Sequence, residues 1–259
     1  MGPLLALIEA AEGPLKPGAS ILDFGCGVGN GIAALLARGY DAHGVDIYEY
    51  WGEHAELYWT DAPPPPPDIR ERLSVAQIDP YKLPYSDNSF DYVISNQVIE
   101  HVDNRRSVFE EIRRVLKADG TSVHIFPSRW TPLVEGHVNV PFPMLCKSEA
   151  YLKLAAIAGI RGPRQAGFNW QGVYQSNVAQ MKITHYPSKR EILCDAQSAG
   201  LLARFAQDDY IARGGTGWMH LYDRLSRFGL GMLALAAGRT FLQHMLVLTP
   251  RRCPARAER

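Results

Sequence analysis

The sequence has few cysteines and no excess of either charge. Lys and Arg together number 27, as do Asp and Glu, so no overall basic field favours a nucleic acid as partner. A small molecule is the more natural partner. The cysteines are Cys26, Cys146, Cys194 and Cys253, and they form no C-x-x-C pair. This spacing argues against a zinc site and against a disulfide framework, and it fits a reducing cytoplasm.

Long apolar runs are also missing. The apolar N-terminal stretch has no basic leader and runs straight into acidic residues, so we expect no secretory signal. The stretch between Arg227 and Arg239 holds 11 residues, too few to cross a bilayer, and is predicted to be a core helix. Peripheral contact with a membrane surface stays open as an alternative, because Arg251 and Arg252 follow it. The composition does not indicate an oligomeric state.

One stretch changes from a strand pattern to a helix pattern across three glycines. Ser20–Phe24 is a short apolar run typical of a buried strand, and Ile32 and Leu35 then recur at helical spacing until Gly39. The turn between the two patterns carries glycine at alternate positions: Gly25, Gly27 and Gly29. Glycine lets the backbone turn sharply and approach a ligand, and a helix start offers unpaired N–H groups. We therefore predict a binding site for something small and polar.

The glycine spacing separates two classes of ligand. A dinucleotide fingerprint needs G-x-G-x-x-G, but Asn30 or Ile32 takes the place of its third glycine in the two registers. The stretch is instead Asp-x-Gly-x-Gly-x-Gly, starting at Asp23, and it resembles the class I S-adenosylmethionine-dependent methyltransferases. The resemblance implies S-adenosyl-L-methionine as cofactor, with the Asp23 carboxylate facing its amino acid end. It also implies that the glycine backbone, including Cys26, passes close to the cofactor.

A second acidic residue follows one β-α-β step later. Asp46 ends the next apolar strand, 23 residues beyond Asp23, where a carboxylate can accept both hydroxyls of a ribose. A solvated aspartate at a strand end is the alternative explanation. The resemblance implies that Asp46 and the adjacent Ile47 border the cofactor.

A third set of residues strengthens the resemblance. Ile78 ends the predicted third strand, Val75–Ile78, and Asp79 follows it. In the family, an acidic residue at this point contacts the adenine amino group. Leu83-Pro84-Tyr85 and Phe90-Asp91 match the segment that leads into the family's fourth strand. A turn-rich loop would explain only part of this ordered set.

The end of the fourth strand carries candidate residues of two kinds. The resemblance makes Asn96 and Gln97 neighbours of the methionine portion of the cofactor. A subset of the family, with catechol or RNA-end acceptors, has Glu-x-x-Glu-His here and binds a divalent metal together with a later histidine. This chain has Gln97 in place of the first glutamate, before Glu100 and His101. Losing a charged oxygen weakens a site for a hard cation, so we predict no bound metal.

The remaining pattern completes an α/β fold. It predicts an amphipathic helix over Arg105–Lys117, a fifth strand over Thr121–Phe126, a capped helix from Ser188, and last strands over Leu201–Ala206 and His244–Thr249. The 259 residues, 46% of them hydrophobic, suit one domain with a sizeable core. We predict a single domain over residues 1–259, with a Rossmann-like, doubly wound, seven-stranded sheet. By resemblance, the sheet is mostly parallel with an antiparallel last strand.

Residues 127–187 depart from a minimal fold of this kind. They are rich in aromatic residues and in glycine and proline breaks, with one helical patch near Ser148–Ala158. We predict an inserted segment that covers the cofactor and shapes the acceptor pocket; a partner-binding surface is the competing explanation. The run Pro63–Pro67 is predicted to be a stiff loop, with a partner domain as its alternative.

Together these patterns predict S-adenosylmethionine-dependent methyl transfer to a small-molecule acceptor. An oxygen of a metabolite, natural product or sugar is the first choice. An acceptor hydroxyl must lose its proton, and histidine, with a pKa of roughly 6.5, suits that task. His137 in the inserted segment is the preferred base, and His101 is the second candidate. An NAD-dependent oxidoreductase and a non-catalytic, methyltransferase-like binding or scaffold subunit are the alternatives.

Overall fold

The computed structural model describes residues 2–51, 66–128, 137–209, 224–233, 235–236 and 243–251. Its strands are β1 (Ser20–Phe24), β2 (Asp41–Asp46), β3 (Leu73–Val75), β4 (Gln77–Ile78), β5 (Tyr81–Lys82), β6 (Phe90–Asn96), β7 (Leu116–Phe126), β8 (Leu201–Phe205) and β9 (His244–Pro250). Its helices are α1 (Gly2–Glu12), α2 (Asn30–Leu36), α3 (Pro67–Arg70), α4 (Arg105–Val115), α5 (Glu149–Ile157), α6 (Trp170–Lys182) and α7 (Lys189–Ser198). Within these ranges, no helix is both long enough and apolar enough to span a bilayer.

Seven strands form one sheet in the order β3-β2-β1-β6-β7-β9-β8. Strand β1 lies parallel between β2 and β6, while β9 runs antiparallel to both of its neighbours, β7 and β8. The carboxyl ends of β1, β2, β3 and β6 therefore meet at one edge of the sheet. This topology confirms the predicted Rossmann-like α/β fold with an antiparallel last strand.

Helices cover both faces of the sheet, because successive strand residues point to opposite sides. Ile21 and Ile94 belong to a core cluster with residues of α1 and α2, such as Leu7 and Ile32. Leu22 belongs to a second cluster, on the other face, with residues of α4 and α7. The unbroken apolar character of β1 follows from this double burial.

Helices α4, α5 and α7 begin where a side chain can satisfy one of the first free N–H groups. Ser188 and Glu191 form the predicted capping box at the start of α7, with Glu191 N–H donating to the Ser188 hydroxyl oxygen at 3.3 Å. Asn104 accepts from Ser107 N–H at the start of α4, and Ser148 plays the same part for α5.

Two predicted elements are wrong in the described residues. The third strand ends at Val75, and Ile78 lies in a separate hairpin where β4 pairs with β5. Pro80 lies in the turn of that hairpin, and it has no N–H with which to continue a sheet ladder. The predicted core helix after Arg227 also fails, because Phe228 and Met232 are 76% and 75% exposed. Gly229, at φ +74°, ends the preceding turn there.

The segment after β7 builds a small core of its own. Residues 129–136 lie outside the described part of the chain, and from residue 137 onward α5 and α6 enclose one apolar cluster: Val138, Val140, Cys146, Leu152, Ala155 and Met181. The assignment of residues 127–187 as an insertion in a single domain stays a prediction. The run Pro63–Pro67 lies mostly outside the described residues, and Pro67 begins α3.

A polar network lies in the middle of the sheet, where β6 and β7 pair. His124 is fully buried, and its Nδ1 and Nε2 atoms lie 2.7 Å from the hydroxyl oxygens of Ser95 and Ser122, respectively. Burial lowers the pKa of the His124 imidazole to about 3, so the ring stays neutral with both nitrogens hydrogen-bonded. The network satisfies polar groups that would otherwise destabilise the core.

This network predicts acid sensitivity with a definite sign. The unfolded chain binds a proton on His124 below pH 6.5, and the folded chain does not until about pH 3. The free energy of unfolding therefore falls on acidification, by about 1.4 kcal/mol per pH unit, or about 2 kcal/mol at pH 5. For the variant His124→Gln we expect a lower free energy of unfolding at pH 7. We also expect the part of the pH dependence that comes from His124 to be lost.

The measurement is urea unfolding followed by circular dichroism at pH 7, 6 and 5. Because other groups titrate in the same window, the quantity to compare is the stability difference between the wild type and His124→Gln. His43→Gln is the matched control, since His43 lies on β2 and is partly exposed. Parallel pH profiles for the wild type and His124→Gln would contradict the assignment.

Candidate functional site

The glycine turn is tied to the neighbouring strand by its backbone. Gly25 N–H and Cys26 N–H both donate to the carbonyl oxygen of Val45, at 2.8 and 3.2 Å. Gly25, Gly27 and Gly29 have φ angles of +77°, +53° and +80°. A Cβ atom on Gly25 would lie 2.2 Å from the Cγ2 atom of Val98. Glycine is therefore required there both by the left-handed backbone and by the space.

Asp46 holds the same turn from the end of β2. Its Oδ2 atom accepts the N–H of Gly27 at 2.9 Å, and its Oδ1 atom accepts the N–H of Ile47 at 2.7 Å. Burial raises the pKa of the Asp46 carboxyl, and these N–H donors oppose that rise. A carboxylate has about four acceptor positions, so lone pairs remain for further donors.

Asp23 lies beneath the turn, on β1. The residue is 6% exposed, and burial raises the pKa of its carboxyl to about 7; the nearby Asp46 carboxylate also raises it. Such a carboxyl is about half ionised near neutral pH. A cation placed against it would favour the ionised form.

Cys26 and Ile47 present different groups to this edge. The Cys26 thiol is buried, and a Cβ atom on Gly44 would lie 2.8 Å from its Sγ atom, so this side chain packs inward. Burial raises the pKa of the thiol. The Cys26 side chain is therefore turned away from this edge, whereas the Ile47 side chain is 43% exposed.

The β4–β5 hairpin follows β3 at the same edge of the sheet. In the parallel register of β2 and β3, Val75 lies opposite Asp46. Ile78 is 59% exposed, and Asp79 is exposed at the turn. Both predicted neighbours of an adenine ring are thus accessible, although Ile78 is not part of the main sheet.

Tyr81 belongs to this hairpin and was not singled out by the sequence pattern. Its hydroxyl oxygen is buried and has no hydrogen-bond partner among the described residues. Burial raises the pKa of the phenol, as do the Glu111 and Asp46 carboxylates. A buried hydroxyl of this kind, within the field of Asp46, fits a bound ligand that supplies the missing partner.

Asn96 and Gln97 lie where β6 ends, next to the glycine turn on β1. Asn96 is exposed, and Gln97 adopts a left-handed backbone conformation with φ +60°. Gln97 N–H donates to the carbonyl oxygen of Ile125 at 2.8 Å, which fixes the turn against β7. Val98 then packs against Gly25, so the two turns are in contact.

The candidate bases meet in one cluster beside this turn. Glu100 and His101 lie in a single 3-10 turn, Ile99–His101, and Glu100 is fully buried. The Nε2 atoms of His101 and His137 are 3.0 Å apart, and Glu100 Oε1 lies 3.9 Å from His137 Nε2. The structure therefore brings together residues 36 positions apart in the sequence.

The position of the proton on His101 follows from the contact of its Nδ1 atom. His101 Nδ1 lies 3.0 Å from the carbonyl oxygen of Ile183, and a carbonyl can only accept. We therefore assign the proton to Nδ1, which leaves the neutral ring with an Nε2 lone pair directed at His137. His185 N–H also donates to the carbonyl oxygen of Glu100. His137 and residues 183–185, near the two ends of the inserted segment, thus meet at the Glu100–His101 turn.

The same cluster has the composition of a cation site. One ligand atom from each of Glu100, His101 and His137 lies within 4.8 Å of the others. The hydrogen bond from His101 Nδ1 to a backbone carbonyl is the arrangement that usually orients a metal-bound histidine. Two imidazoles and a carboxylate suit Zn²⁺, Mn²⁺ or Fe²⁺ better than Mg²⁺. These residues therefore fit a divalent metal, and the absence of a bound metal stays a prediction.

The central part of the chain is similar in sequence to known proteins. Residues 22–124 match the model of a family described as a methyltransferase domain. Sterol 24-C-methyltransferase ERG6B of Gibberella zeae is 38% identical over 108 residues, which are 41% of this chain and 27% of the relative. Phosphoethanolamine N-methyltransferase 2 of Caenorhabditis elegans is 30% identical over 109 residues, 42% of this chain and 24% of the relative. The match thus spans about a quarter of the length of these curated relatives.

A solved structure extends the comparison of the fold beyond that stretch. An S-adenosylmethionine-dependent methyltransferase from Mesorhizobium loti superposes with a TM-score of 0.51 at 16% sequence identity, covering 94% of this chain and 95% of that one. At this identity the likeness shows the fold. The match over residues 22–124 and the fold together confirm the resemblance to the class I S-adenosylmethionine-dependent methyltransferases that was drawn from the glycine turn.

Proposed function

We propose that the chain transfers the methyl group of S-adenosyl-L-methionine to an oxygen of a small molecule, such as a metabolite, natural product or sugar. The observation that carries the proposal is the contact between two turns at one sheet edge. The glycine turn, held by Asp46, supports a cofactor, and the turn beginning at Gln97 leads directly into the histidine cluster. A cytoplasmic location stays a prediction.

The cofactor side of the site is shared among the strand ends. By the resemblance, the Asp23 carboxylate faces the amino acid end of the cofactor, and Asp46 takes the ribose hydroxyls. Asn96 and Gln97 border the methionine portion. Bound S-adenosylmethionine supplies an activated methyl group, so the chain's own task is mainly alignment.

The adenine end lies with the β4–β5 hairpin. Ile78 and Asp79 are accessible there, and Ile47 is half-exposed beside Asp46. The buried hydroxyl of Tyr81 adds a donor that the cofactor can satisfy. This arrangement gives the ring both apolar and polar neighbours.

The histidine pair supplies a proton acceptor. Because His101 keeps its proton on Nδ1, its Nε2 lone pair and His137 Nε2 share one proton across 3.0 Å. A proton taken from the acceptor enters at His137 Nδ1, the ring nitrogen that does not carry the shared proton, and so charges the pair. The Glu100 carboxylate, 3.9 Å from His137 Nε2, stabilises that charge. His137 is therefore the preferred base, with His101 as its partner.

The atom that is methylated distinguishes the first proposal from a second one. The names of the two relatives specify a sterol carbon and a phosphoethanolamine nitrogen. A neutral amine attacks through its lone pair and sheds its proton afterwards, whereas a hydroxyl must lose its proton as the methyl group arrives. A built proton acceptor therefore favours oxygen, and a nitrogen or carbon acceptor is the second candidate.

A metal-assisted form of the same transfer is supported by the donor set of Glu100, His101 and His137. A divalent cation on these three side chains would orient an acceptor oxygen and lower its pKa. The histidines would then act as ligands, and the proton would leave to another group. Metal dependence is therefore the property that separates the two roles of the cluster.

The role of Asp46 predicts a loss of cofactor affinity in Asp46→Asn. Charge-assisted hydrogen bonds contribute about 1.5–3 kcal/mol, so the affinity for S-adenosylhomocysteine should fall about 10- to 100-fold in calorimetric titration. Asp41→Asn is the matched control, because Asp41 begins the same strand and pairs with Arg72 at 2.7 Å, away from the turn. Equal affinities for both folded variants would exclude Asp46 from the site.

The role of the histidines predicts a loss of turnover with cofactor binding nearly intact. With an acceptor found by screening hydroxyl and amine compounds against methyl-labelled cofactor, His137→Ala should lose about 10²- to 10⁴-fold in turnover. His185→Ala is the neighbouring control, because the His185 side chain pairs with Asp103 instead. Normal turnover of His137→Ala would remove it as the base.

Adding a chelator to the same assay shows whether the two histidines act as a base or as metal ligands. For the histidine base we expect turnover to survive the chelator unchanged. Loss of turnover in chelator, with recovery on adding Mn²⁺ or Zn²⁺, would establish the metal-assisted form instead. Turnover on any acceptor also excludes a purely structural subunit.

A further inference from the structure

The α5–α6 region carries a charge bias that the whole chain does not have. Lys and Arg balance Asp and Glu over the full sequence at 27 each. Between Ala150 and Arg190 there is no Asp or Glu, while six residues are basic: Lys153, Arg161, Arg164, Lys182, Lys189 and Arg190. Helix α5 begins with the exposed Glu149, whose carboxylate accepts from the Tyr174 hydroxyl, and the residues beyond it supply no acidic side chain to balance the six cations.

Helix α5 leaves aliphatic side chains exposed. Its inner face buries Leu152 and Ala155 in the small core of the segment, and Ala156 is buried as well. Leu154 and Ile157, three residues apart and therefore neighbours on the outer face, are 66% and 55% exposed. Two large aliphatic residues on one helix face bring apolar area into water, which costs free energy that a covering surface would recover.

Two contacts join this face to the start of α6. Lys153 Nζ lies 6.0 Å from the centroid of the Trp170 ring, and Arg161 Nη1 donates to the carbonyl oxygen of Phe168 at 2.7 Å. Phe168 and Trp170 are themselves 46% and 37% exposed. We call these residues together the α5–α6 surface: Lys153, Leu154, Ile157, Arg161, Phe168 and Trp170.

We propose that the α5–α6 surface docks on an anionic lipid bilayer. Lys and Arg place their cationic ends among lipid headgroups while their stems stay along apolar surface, and Trp favours the same depth. Leu154, Ile157 and Phe168 then enter the boundary between headgroups and acyl chains, as the apolar face of an interfacial helix does. The absence of acidic residues from 150 to 190 removes repulsion from the negative lipids.

The exposed residue types favour a bilayer over a nucleic acid. Single-stranded nucleic acids bind through stacking of bases on flat side chains, and Leu154 and Ile157 offer none. A lipid boundary makes no demand on shape and accepts branched aliphatic residues equally well. This inference goes beyond methyl transfer, and it does not depend on the cofactor or on the identity of the acceptor.

The experiment is flotation of the full-length chain with vesicles of phosphatidylcholine alone or with about 30% phosphatidylserine. We expect the wild type to float with the anionic vesicles at low salt and to be released at high salt, because screening weakens the attraction. The double variant Leu154→Gln/Ile157→Gln should bind the anionic vesicles about 10-fold or more weakly, since it removes the buried apolar area. Lys153→Glu should also weaken binding about 10-fold, since it reverses one charge near the headgroups.

Matched variants elsewhere on the surface test the location. Leu202→Gln changes an exposed leucine on β8, and Arg70→Glu reverses an exposed charge on α3; both should bind like the wild type. Three outcomes would overturn the proposal: no flotation of the wild type, full binding by both α5 variants, or loss of binding in Phe228→Gln alone. Displacement from the vesicles by a single-stranded oligonucleotide would also overturn it, in favour of a nucleic acid.

Discussion

The site depends on how the glycine turn is held between β1 and β2. The Val45 carbonyl takes two N–H groups from the turn, the Asp46 carboxylate takes a third, and Val98 fills the space where a side chain would stand on Gly25. Two of the three N–H groups belong to Gly25 and Gly27, whose left-handed backbone only glycine adopts easily. The start of α2 is fixed in turn, because Gly29 is its N-cap residue. This one arrangement therefore fixes the ends of β1 and β2, the start of α2 and the sheet edge where we propose that the ligand binds.

This arrangement carries a cost in stability at Asp23. Its carboxyl pKa is about 7 in the folded chain and 3.8 in the absence of burial, so the folded chain holds a proton that the unfolded chain loses between these values. The free energy of unfolding contributed by Asp23 therefore falls as the pH rises from 3.8 to about 7. In the proposed role of Asp23, a cation on the bound ligand would offset this loss by favouring the ionised carboxylate.

Much of this could be predicted from the sequence, because local chemistry decides it. The change of period across Gly25 places β1 and α2, and the capping box at Ser188 places the start of α7. Helix α6 was not predictable in the same way, because its buried positions include Asn177, which pairs with Gln165 through a hydrogen bond of 2.6 Å. Its buried positions are Val173, Asn177 and Met181, so a polar residue interrupts the spacing of apolar residues that would predict a helix.

At the site, the histidine cluster also could not be predicted from local sequence patterns. His101 and His137 were separately recognisable as candidate bases by residue type, but their 3.0 Å contact depends on the path of the inserted segment. That path is set by backbone contacts such as the one from His101 to the carbonyl of Ile183, which carry no trace in the sequence. The sequence does not identify Tyr81 for a related reason, because the burial of its hydroxyl depends on the fold around the β4–β5 hairpin.

The central claim is that the glycine turn and its two aspartates hold S-adenosylmethionine. Calorimetric titration of the wild-type chain with S-adenosylhomocysteine and, separately, with NADH tests it most directly. We predict that one S-adenosylhomocysteine binds per chain, with affinity that rises as the pH approaches 7 and Asp23 ionises, and that NADH gives no heat of binding. Saturable binding of NADH together with no binding of S-adenosylhomocysteine would contradict the account.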